Sequence, residues 1–201
     1  MATTSPARSE DASATTRQRI VTATAELFRR QGYRGTALKD ITRAAEATTG
    51  SVYHFFPGGK AELARAVVIE TGVAYRELFE LIAGAAGSAA QAVADFFDGA
   101  AEVLAQSGYL DVCPIGAVAR EVASTDDELR AATAQVFDSW TKAAAARLRA
   151  DGIDSRTARE LALVVVALLE GGFTLARAHR DAAILRRLGR QARSLVAAAT
   201  P

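Results

Sequence analysis

The stretch from Ala45 to Phe56 constrains the fold of this chain more than any other, because it places two chemically different edges on one short helix. Val52, Phe55 and Phe56 form an apolar edge at helical spacing. A helix of about two turns is marginal in water, so neighbouring helices must hold this edge. The opposite side, called the polar edge below, carries Thr48, Thr49, Gly50, Ser51, Tyr53 and His54. Groups of this kind can contact the phosphates and base edges of DNA.

Two further helices are predicted before this segment. Residues 16–31 repeat apolar side chains at helical spacing, and Gly32 can end that helix in a left-handed conformation. Thr36 is the predicted N-cap of a second helix, whose apolar stripe reaches Ala45. A turn at Glu46 leads into the third helix. The three apolar edges can close on one core, which predicts a helix-turn-helix unit with the polar edge in the groove of a duplex.

Composition favours an almost wholly helical protein with one or two small domains, because half of the 201 residues are apolar and only four are proline. The single Cys113 excludes an intrachain disulfide, and no secretory pattern is visible, so a cytoplasmic location is expected. The longest apolar run, Leu161 to Leu169, is too short to cross a bilayer, so no membrane partner is predicted.

Charge is distributed unevenly along a chain whose net charge is only +1. Residues 1–65 carry ten basic and six acidic side chains, whereas residues 66–201 carry 14 and 17. The basic excess therefore belongs to the predicted helix-turn-helix, where it would attract phosphates. Residues 1–14 show no periodicity and are predicted to form a disordered arm that precedes a capping box at Thr15.

Three motifs follow one another in the helix-turn-helix region. Thr36-Ala-Leu-Lys-Asp-Ile-Thr-Arg-Ala-Ala precedes Thr-Thr-Gly-Ser-Val-Tyr-His-Phe-Phe-Pro, and Lys60-Ala-Glu-Leu63 comes next. With these motifs, residues 16–65 resemble the DNA-binding domain of the TetR family of bacterial repressors. Phe56-Pro-Gly-Gly-Lys60 and Cys113-Pro114-Ile115 are similar to the subgroup typified by the lincomycin-resistance repressor. One departure is that Phe55 stands where family members often carry His, and His54 lies one residue earlier.

The resemblance implies a DNA-binding domain over residues 15–62 and a ligand-binding and dimerisation domain over residues 63–201. In the family, the lysine after the third helix contacts the DNA backbone, which assigns that role to Lys60. The alternative is a solvated lysine at a helix start. The candidate DNA contacts are Thr36, Thr48, Thr49, Gly50, Ser51, Tyr53, His54 and Lys60.

Large side chains on the predicted C-terminal helices can line a cavity, although packed core is the alternative for each of them. In the family, such a cavity admits a small, mostly apolar inducer. Cys113 beside Pro114 can be a redox-sensing thiol or a small buried hydrophobic residue. The candidate pocket residues are Phe97, Tyr109, Cys113, Phe137, Trp140 and Phe173.

The last two predicted helices, over residues 155–180 and 181–199, carry surplus apolar surface. The run from Leu161 to Leu169 is apolar around its whole circumference, so it must be covered on more than one side. A second subunit can cover one side and form a four-helix dimer interface; an ordinary core helix is the alternative. The candidate interface residues are Leu161, Val165, Leu168, Leu185, Leu188 and Leu195.

Signatures of catalysis are missing, because the two histidines and one cysteine have no metal-ligand spacing and no nucleophile elbow or phosphate-binding loop occurs. No enzyme activity, metal or cofactor is therefore predicted. The sequence predicts an all-α protein of about nine helices, with an N-terminal three-helix helix-turn-helix domain. Its expected function is ligand-responsive transcriptional repression, as a homodimer on a pseudo-palindromic double-stranded DNA operator. The alternative is a small-molecule-binding helical dimer of the same fold that does not bind an operator.

Overall fold

The computed structural model describes the backbone of residues 6–201 and the side chains from residue 15 onward. Within that range the chain forms nine helices and no strand, which confirms the all-α prediction. The helices are α1 (Pro6–Gln31), α2 (Leu38–Ala44), α3 (Thr49–Phe55), α4 (Gly59–Ala85), α5 (Ala89–Gln106), α6 (Pro114–Val122), α7 (Asp127–Ala150), α8 (Ser155–His179) and α9 (Ala183–Ala199).

The first helix begins earlier than the sequence predicts. Residues 6–14 were expected in a disordered arm, but they form the start of α1, and Thr15 lies inside the helix rather than in a capping box. Proline fits the first position of a helix because its φ is already helical, and the Ala, Arg and Glu residues that follow favour helix. The predicted arm is therefore wrong for residues 6–14, and residues 1–5 lie outside the described residues.

Local signals fix most of the other helix ends. Gly32 has a φ of 78° and its N–H donates to the Phe28 carbonyl at 3.0 Å, so it ends α1 as predicted. Pro114 occupies the first turn of α6. Asp126 caps α7, because its Oδ1 accepts a hydrogen bond from the Leu129 N–H at 3.0 Å.

Buried side chains form two clusters that do not follow the predicted domain boundary. One cluster joins α5, α8 and α9 with the end of α4 and the second half of α7, and it includes Phe97 and Leu148. The other joins Phe28 and Val52 of the first three helices to α4, α6 and the start of α7. The boundary expected after residue 62 falls in the first turn of α4. The N-terminal helices therefore share their core with α6 and α7.

Glycine permits two close helix crossings that shape the C-terminal part. A Cβ at Gly72 of α4 would lie 2.5 Å from Cγ1 of Val136 on α7, and the Gly72 carbonyl accepts a hydrogen bond of 2.8 Å from the Trp140 indole. A Cβ at Gly172 of α8 would lie 2.7 Å from Leu185 on α9. Side chains at either position would separate the helices.

The helix α8 is long and apolar enough to cross a membrane by length and composition, with a mean hydropathy of 1.8 over its most apolar window. This helix is longer than the uninterrupted apolar run from Leu161 to Leu169, on which the prediction of no membrane span was based. A core helix of a soluble protein passes the same test. Since only 28% of that window is buried within one chain, an apolar face of α8 remains uncovered.

Candidate functional site

The polar edge of α3 is exposed at its N-terminal end. Thr48 caps the helix, because its Oγ1 accepts a hydrogen bond of 3.0 Å from the Ser51 N–H, and the two hydroxyls lie 2.9 Å apart. Thr48, Thr49 and Gly50 are all exposed. A Cβ at Gly50 would meet only Thr48 Oγ1, at 3.6 Å. A flat partner could thus approach the backbone here without displacing a side chain.

The apolar edge holds α3 in place. Val52 and Phe56 are buried against α1, α2 and α4, and Phe55 is half-buried beside them. The Phe56 N–H donates to the Val52 carbonyl at 2.8 Å, and the Arg17 guanidinium lies 5.4 Å from the centroid of the Phe56 ring. This anchoring explains why a seven-residue helix is formed at all, since it has too few internal hydrogen bonds to be stable alone.

Tyr53 and His54 lie one turn further along the polar edge and are both exposed. The Tyr53 ring packs on Gly59, where a Cβ would lie 3.3 Å from Tyr53 Cε1. Gly59 has a φ of 66°, which glycine adopts without strain. The imidazole of His54 packs edge-on against the Phe55 ring, at 4.9 Å between centroids. Helical spacing places Tyr53 and His54 over Thr49 and Gly50, so the four share one exposed surface.

Lys60 lies in the first turn of α4 and contacts an aromatic ring rather than projecting freely. Its Nζ lies 4.4 Å from the centroid of the Tyr33 ring. Partial burial lowers the pKa of Lys60, and the nearby Glu121 carboxylate opposes this shift. The ammonium is therefore held at the junction of α4, α6 and the turn after α1.

Thr36 does not join the polar edge, and its predicted roles as N-cap and DNA contact are wrong. Its side chain is fully buried, and its Oγ1 donates to the Gly32 carbonyl at 2.7 Å. The N-cap of α2 is Ala37, which makes no side-chain capping bond. The reason is that the tight turn after α1 leaves a carbonyl that needs a donor, and the Thr36 hydroxyl supplies it.

Glu121 of α6 bridges to the turn after α1, a contact that the sequence did not reveal. Its Oε1 accepts from the Tyr33 N–H at 3.1 Å, and its Oε2 accepts from the Arg34 N–H at 2.6 Å. A Cβ at Gly32 would collide with this carboxylate. We call these two hydrogen bonds the Glu121 bridge. It connects α6 to the N-terminal helices, although Glu121 is 88 and 87 positions away in the sequence from Tyr33 and Arg34.

A cavity of about 430 Å³ lies among α4, α5, α7, α8 and the segment before α6. Its volume falls in the range of small-molecule pockets, roughly 300–1,000 Å³. Of the predicted pocket residues, Phe97, Cys113, Trp140 and Phe173 line it. Two others do not. Tyr109 packs on the C-terminal cluster, and Phe137 packs edge-on against Trp140 at 5.6 Å between centroids. Tyr109 follows α5 and has a positive φ of 65°.

Charged side chains also line this mostly apolar cavity. Among the residues whose side chains are described, each buried side-chain nitrogen or oxygen without a hydrogen-bond partner belongs to its wall. These atoms are Arg29 Nε, Arg76 Nε, Asp111 Oδ1 and Glu170 Oε1. Arg29, Arg76 and Asp111 were not among the pocket residues predicted from the sequence. A detectable signal was the position of Arg29, which follows the buried stripe of Ala25 and Phe28 on α1.

The thiol of Cys113 is buried in this wall, and its Sγ accepts a hydrogen bond of 3.4 Å from the Gly116 N–H. Burial, and secondarily Glu170, raises the pKa of Cys113 well above its usual value. The thiol therefore stays protonated at neutral pH, which favours the small buried residue over the redox sensor. Burial likewise raises the pKa of Glu170, against the attraction of Arg120.

The apolar surface left uncovered on α8 and α9 differs from the predicted interface. Val165 and Leu185 lie in the core of their own chain, so their assignment to a dimer interface is wrong. Leu161, Leu168 and Leu188 are partly buried against that core, whereas Leu195 is exposed. The close crossing at Gly172 turns the Val165 side of α8 inward. The exposed large apolar residues of these two helices are Leu163, Val164, Leu175 and Leu195.

Comparison with known proteins matches both parts of the chain. Residues 20–67 match the family model described as bacterial regulatory proteins, tetR family. Residues 89–191 match the model for the C-terminal domain of LmrA/YxaF-like transcriptional regulators. The first match contains the polar edge and Lys60, and the second contains α5 to α8 and the first half of α9.

Individual proteins agree with these matches. The uncharacterised HTH-type transcriptional regulator Rv0196 of Mycobacterium tuberculosis is 34% identical over 92% of this chain and 96% of its own length. The HTH-type transcriptional regulator LmrA of Bacillus subtilis is 31% identical over 79% of this chain and 85% of its own length. The fold is similar to that of the TetR-family regulator CifR solved with operator DNA, with a TM-score of 0.71 and 19% identity. The similarity covers 87% of this chain and 94% of the CifR chain.

Proposed function

Because this chain belongs to the TetR family of bacterial transcriptional regulators, within its LmrA/YxaF-like subgroup, we propose that it is a ligand-responsive repressor. It binds a pseudo-palindromic double-stranded operator as a homodimer and works in the cytoplasm, where the bacterial chromosome lies. Its relatives are transcriptional regulators rather than enzymes. The observation that carries the proposal is the polar edge, which is exposed while the other side of the same helix is buried.

The polar edge is suited to the major groove of DNA. Thr49 and Gly50 allow the closest approach to base edges, because neither carries a long side chain and nothing packs over them. Tyr53 and His54 lie one turn away and can donate to phosphates. Thr48 and Ser51 share a hydrogen bond at the helix start and contact the backbone of the duplex. Lys60 adds a positive charge beside this edge, supported on Tyr33.

Dimerisation uses the exposed apolar surface of α8 and α9. Leu163 and Leu175 of α8, with Leu195 of α9, are each about half exposed or more in a single chain. A second copy that presents the same surface would cover them and form a four-helix interface, which is self-complementary about a twofold axis. Two copies of the polar edge could then reach successive turns of one face of the duplex.

Regulation connects the cavity to the polar edge through α6. The N-terminal end of α6 follows Cys113 in the cavity wall, and its C-terminal end carries the Glu121 bridge to the turn after α1. A ligand that displaces the first end would move the second, since nine helical residues connect them. Release of DNA requires that this ligand bind the DNA-incompetent dimer more tightly than the competent one.

A salt titration of DNA binding tests the DNA-binding part of the proposal. Duplexes tiled across the DNA that precedes the protein's own and adjacent genes are titrated at several salt concentrations. We expect affinity to fall steeply with salt, because bound phosphates release counterions. Lys60→Ala should weaken binding to all duplexes about equally and reduce the salt slope by about one unit.

Lys142→Ala is the matched control, because Lys142 is exposed on α7, outside the residues assigned to DNA contact. It should leave affinity and slope unchanged. An unchanged slope for Lys60→Ala would exclude Lys60 from phosphate contact. A protein that binds none of the duplexes at low salt would be a ligand-binding dimer without an operator, and the proposed function would be wrong.

A further inference from the structure

One charged residue in the cavity wall lacks the compensation that the others have. Arg29 Nε lies 3.4 Å from Asp111 Oδ2, and Arg30 Nε lies 3.7 Å from Asp111 Oδ1. Arg76 Nε lies 3.5 Å from Glu80 Oε1. These groups miss ideal hydrogen bonds, but an opposite charge stands beside each of them.

Glu170 of α8 has no such neighbour. No described residue forms an ion pair with it within 4.0 Å, and its Oε1 is buried without a hydrogen-bond partner. Its other contacts are the uncharged Cys113 thiol and the backbone of Gly116, where a Cβ would collide with Oε2. Arg120 is the charge that attracts it, from beyond ion-pair distance. A carboxylate in this position has lost water without gaining an ion pair within 4.0 Å or a hydrogen bond at Oε1, which is costly.

Aromatic side chains line the same cavity as this carboxylate. Six aromatic residues line the cavity, namely Tyr75, Phe79, Phe96, Phe97, Trp140 and Phe173. The face of an aromatic ring attracts a cation, and the attraction grows when the cation is removed from water. The Trp140 N–H is already donated to the Gly72 carbonyl. Except for the Tyr75 hydroxyl, the six aromatic side chains therefore offer only ring carbon to a ligand.

We propose that the cavity binds a lipophilic amine, whose ammonium group donates a hydrogen bond to Glu170 Oε1 while its apolar part fills the aromatic and aliphatic wall. This inference rests on the proposed function, in which the cavity is the effector site. An ammonium supplies both the charge and the donor that Glu170 lacks. An entirely apolar ligand would leave Oε1 unpaired, and a carboxylate ligand would bring a second negative charge to it.

Three probes of nearly equal size test the charge preference: 2-naphthylmethylamine, 2-naphthylmethanol and 2-naphthoate. Their dissociation constants for the full-length protein are measured by calorimetry at neutral pH. We expect the amine to bind about tenfold or more tightly than the alcohol, in line with a charge-assisted hydrogen bond, and the carboxylate to bind most weakly. Equal affinities for the amine and the alcohol in the unaltered protein would overturn the proposal.

Substitution of the carboxylate assigns the preference to one residue. Glu170→Gln keeps the size of the side chain and removes its charge, so the amine should lose about tenfold in affinity while the alcohol changes little. Glu160→Gln is the matched control, because Glu160 is an exposed acid on the same helix. Retention of the full amine preference by a folded Glu170→Gln variant would refute the assignment. If that variant does not fold, Glu170→Asp, which keeps the charge and moves it away from the ligand, should show a reduced preference; an undiminished one refutes the assignment.

DNA retardation with the same samples separates this inference from the proposed function. An amine that binds through Glu170 but leaves the protein on its duplex would support the ligand class and refute ligand-responsive repression by that amine. Salt-dependent DNA binding together with equal affinities for the amine and the alcohol would support the regulator and refute the ligand class.

Discussion

Glu121→Ala should weaken the attachment of α6 to the N-terminal helices. The substitution removes two hydrogen bonds from a carboxylate to the N–H groups of Tyr33 and Arg34. A hydrogen bond to a charged group contributes about 1.5–3 kcal/mol when it is shielded from water. Arg34 is exposed and its N–H can bond to water instead, so most of the loss comes from the half-buried Tyr33. We expect the free energy of unfolding to fall by about 2 kcal/mol.

The same variant should reduce the communication between the cavity and DNA. A bridge that contributes about 2 kcal/mol can transmit at most a factor of about 30 in affinity. For a ligand that releases DNA from the unaltered protein, the ratio of DNA dissociation constants with and without ligand should therefore fall by up to that factor. Affinity for the ligand itself in the absence of DNA should change little, because Glu121 does not line the cavity.

Urea unfolding measures the first quantity, and DNA retardation over a ligand series measures the second. Glu102→Ala is the control, since Glu102 is exposed on α5 and its described side-chain bond is to Gln106 on the same helix. The reasoning would be refuted by a Glu121→Ala variant whose free energy of unfolding lies within about 0.5 kcal/mol of that of the unaltered protein and whose DNA binding responds fully to the ligand. The Glu121 bridge would then neither stabilise the fold nor connect the cavity to the DNA-binding surface.

Two further substitutions test the packing and the dimer. Gly72→Ala places a methyl group 2.5 Å from Val136 Cγ1 and should lower the free energy of unfolding by about 1–3 kcal/mol. A Cβ at Gly84 on the same helix would meet nothing within 4 Å, so Gly84→Ala should raise the free energy of unfolding by about 0.5–1 kcal/mol. Urea unfolding should therefore show that one variant is less stable and the other more stable than the unaltered protein. Equal losses of stability in both variants would contradict this account of the α4–α7 crossing. Leu163→Glu puts a charge on the exposed face of α8 and should give a folded monomer with weak DNA binding. A dimer of unchanged mass by light scattering would locate the interface elsewhere.

Helix positions were predictable because their signals are local. Gly32 and Pro114 favour particular backbone angles at their own positions, and the Asp126 side chain caps a helix that begins at the next residue. Neighbours along the chain therefore suffice to interpret all three. The start of α1 was missed because a search for apolar periodicity overlooks a polar segment of good helix formers. The N-cap prediction for Thr36 was wrong because a threonine before a helix can either cap that helix or donate its hydroxyl to a carbonyl of the preceding turn, as Thr36 does to Gly32. Only the folded turn decides between these bonds.

The side that a uniformly apolar helix turns inward was not predictable either. Residues 161–169 of α8 offer apolar side chains in every direction, so periodicity cannot distinguish Val165, which is buried, from Leu163, which is exposed. Close packing at Gly172 favours the inward orientation of the Val165 side, because a residue without a side chain there leaves room for Leu185 of α9. The charged wall of the cavity depends similarly on residues brought together from α1, α4, α8 and the segment before α6.

The core that α1 to α4 share with α6 and α7 has a consequence for engineering. A chimaera that exchanged the first 62 residues for those of another regulator would set foreign side chains against Ile115, Val118 and Leu129, and the mismatch would cost stability at the graft. Altering the recognised DNA sequence should instead be done by replacing residues 49, 50, 53 and 54 on the outer surface. The buried core that α1 to α4 share with α6 and α7 would then be left as it is.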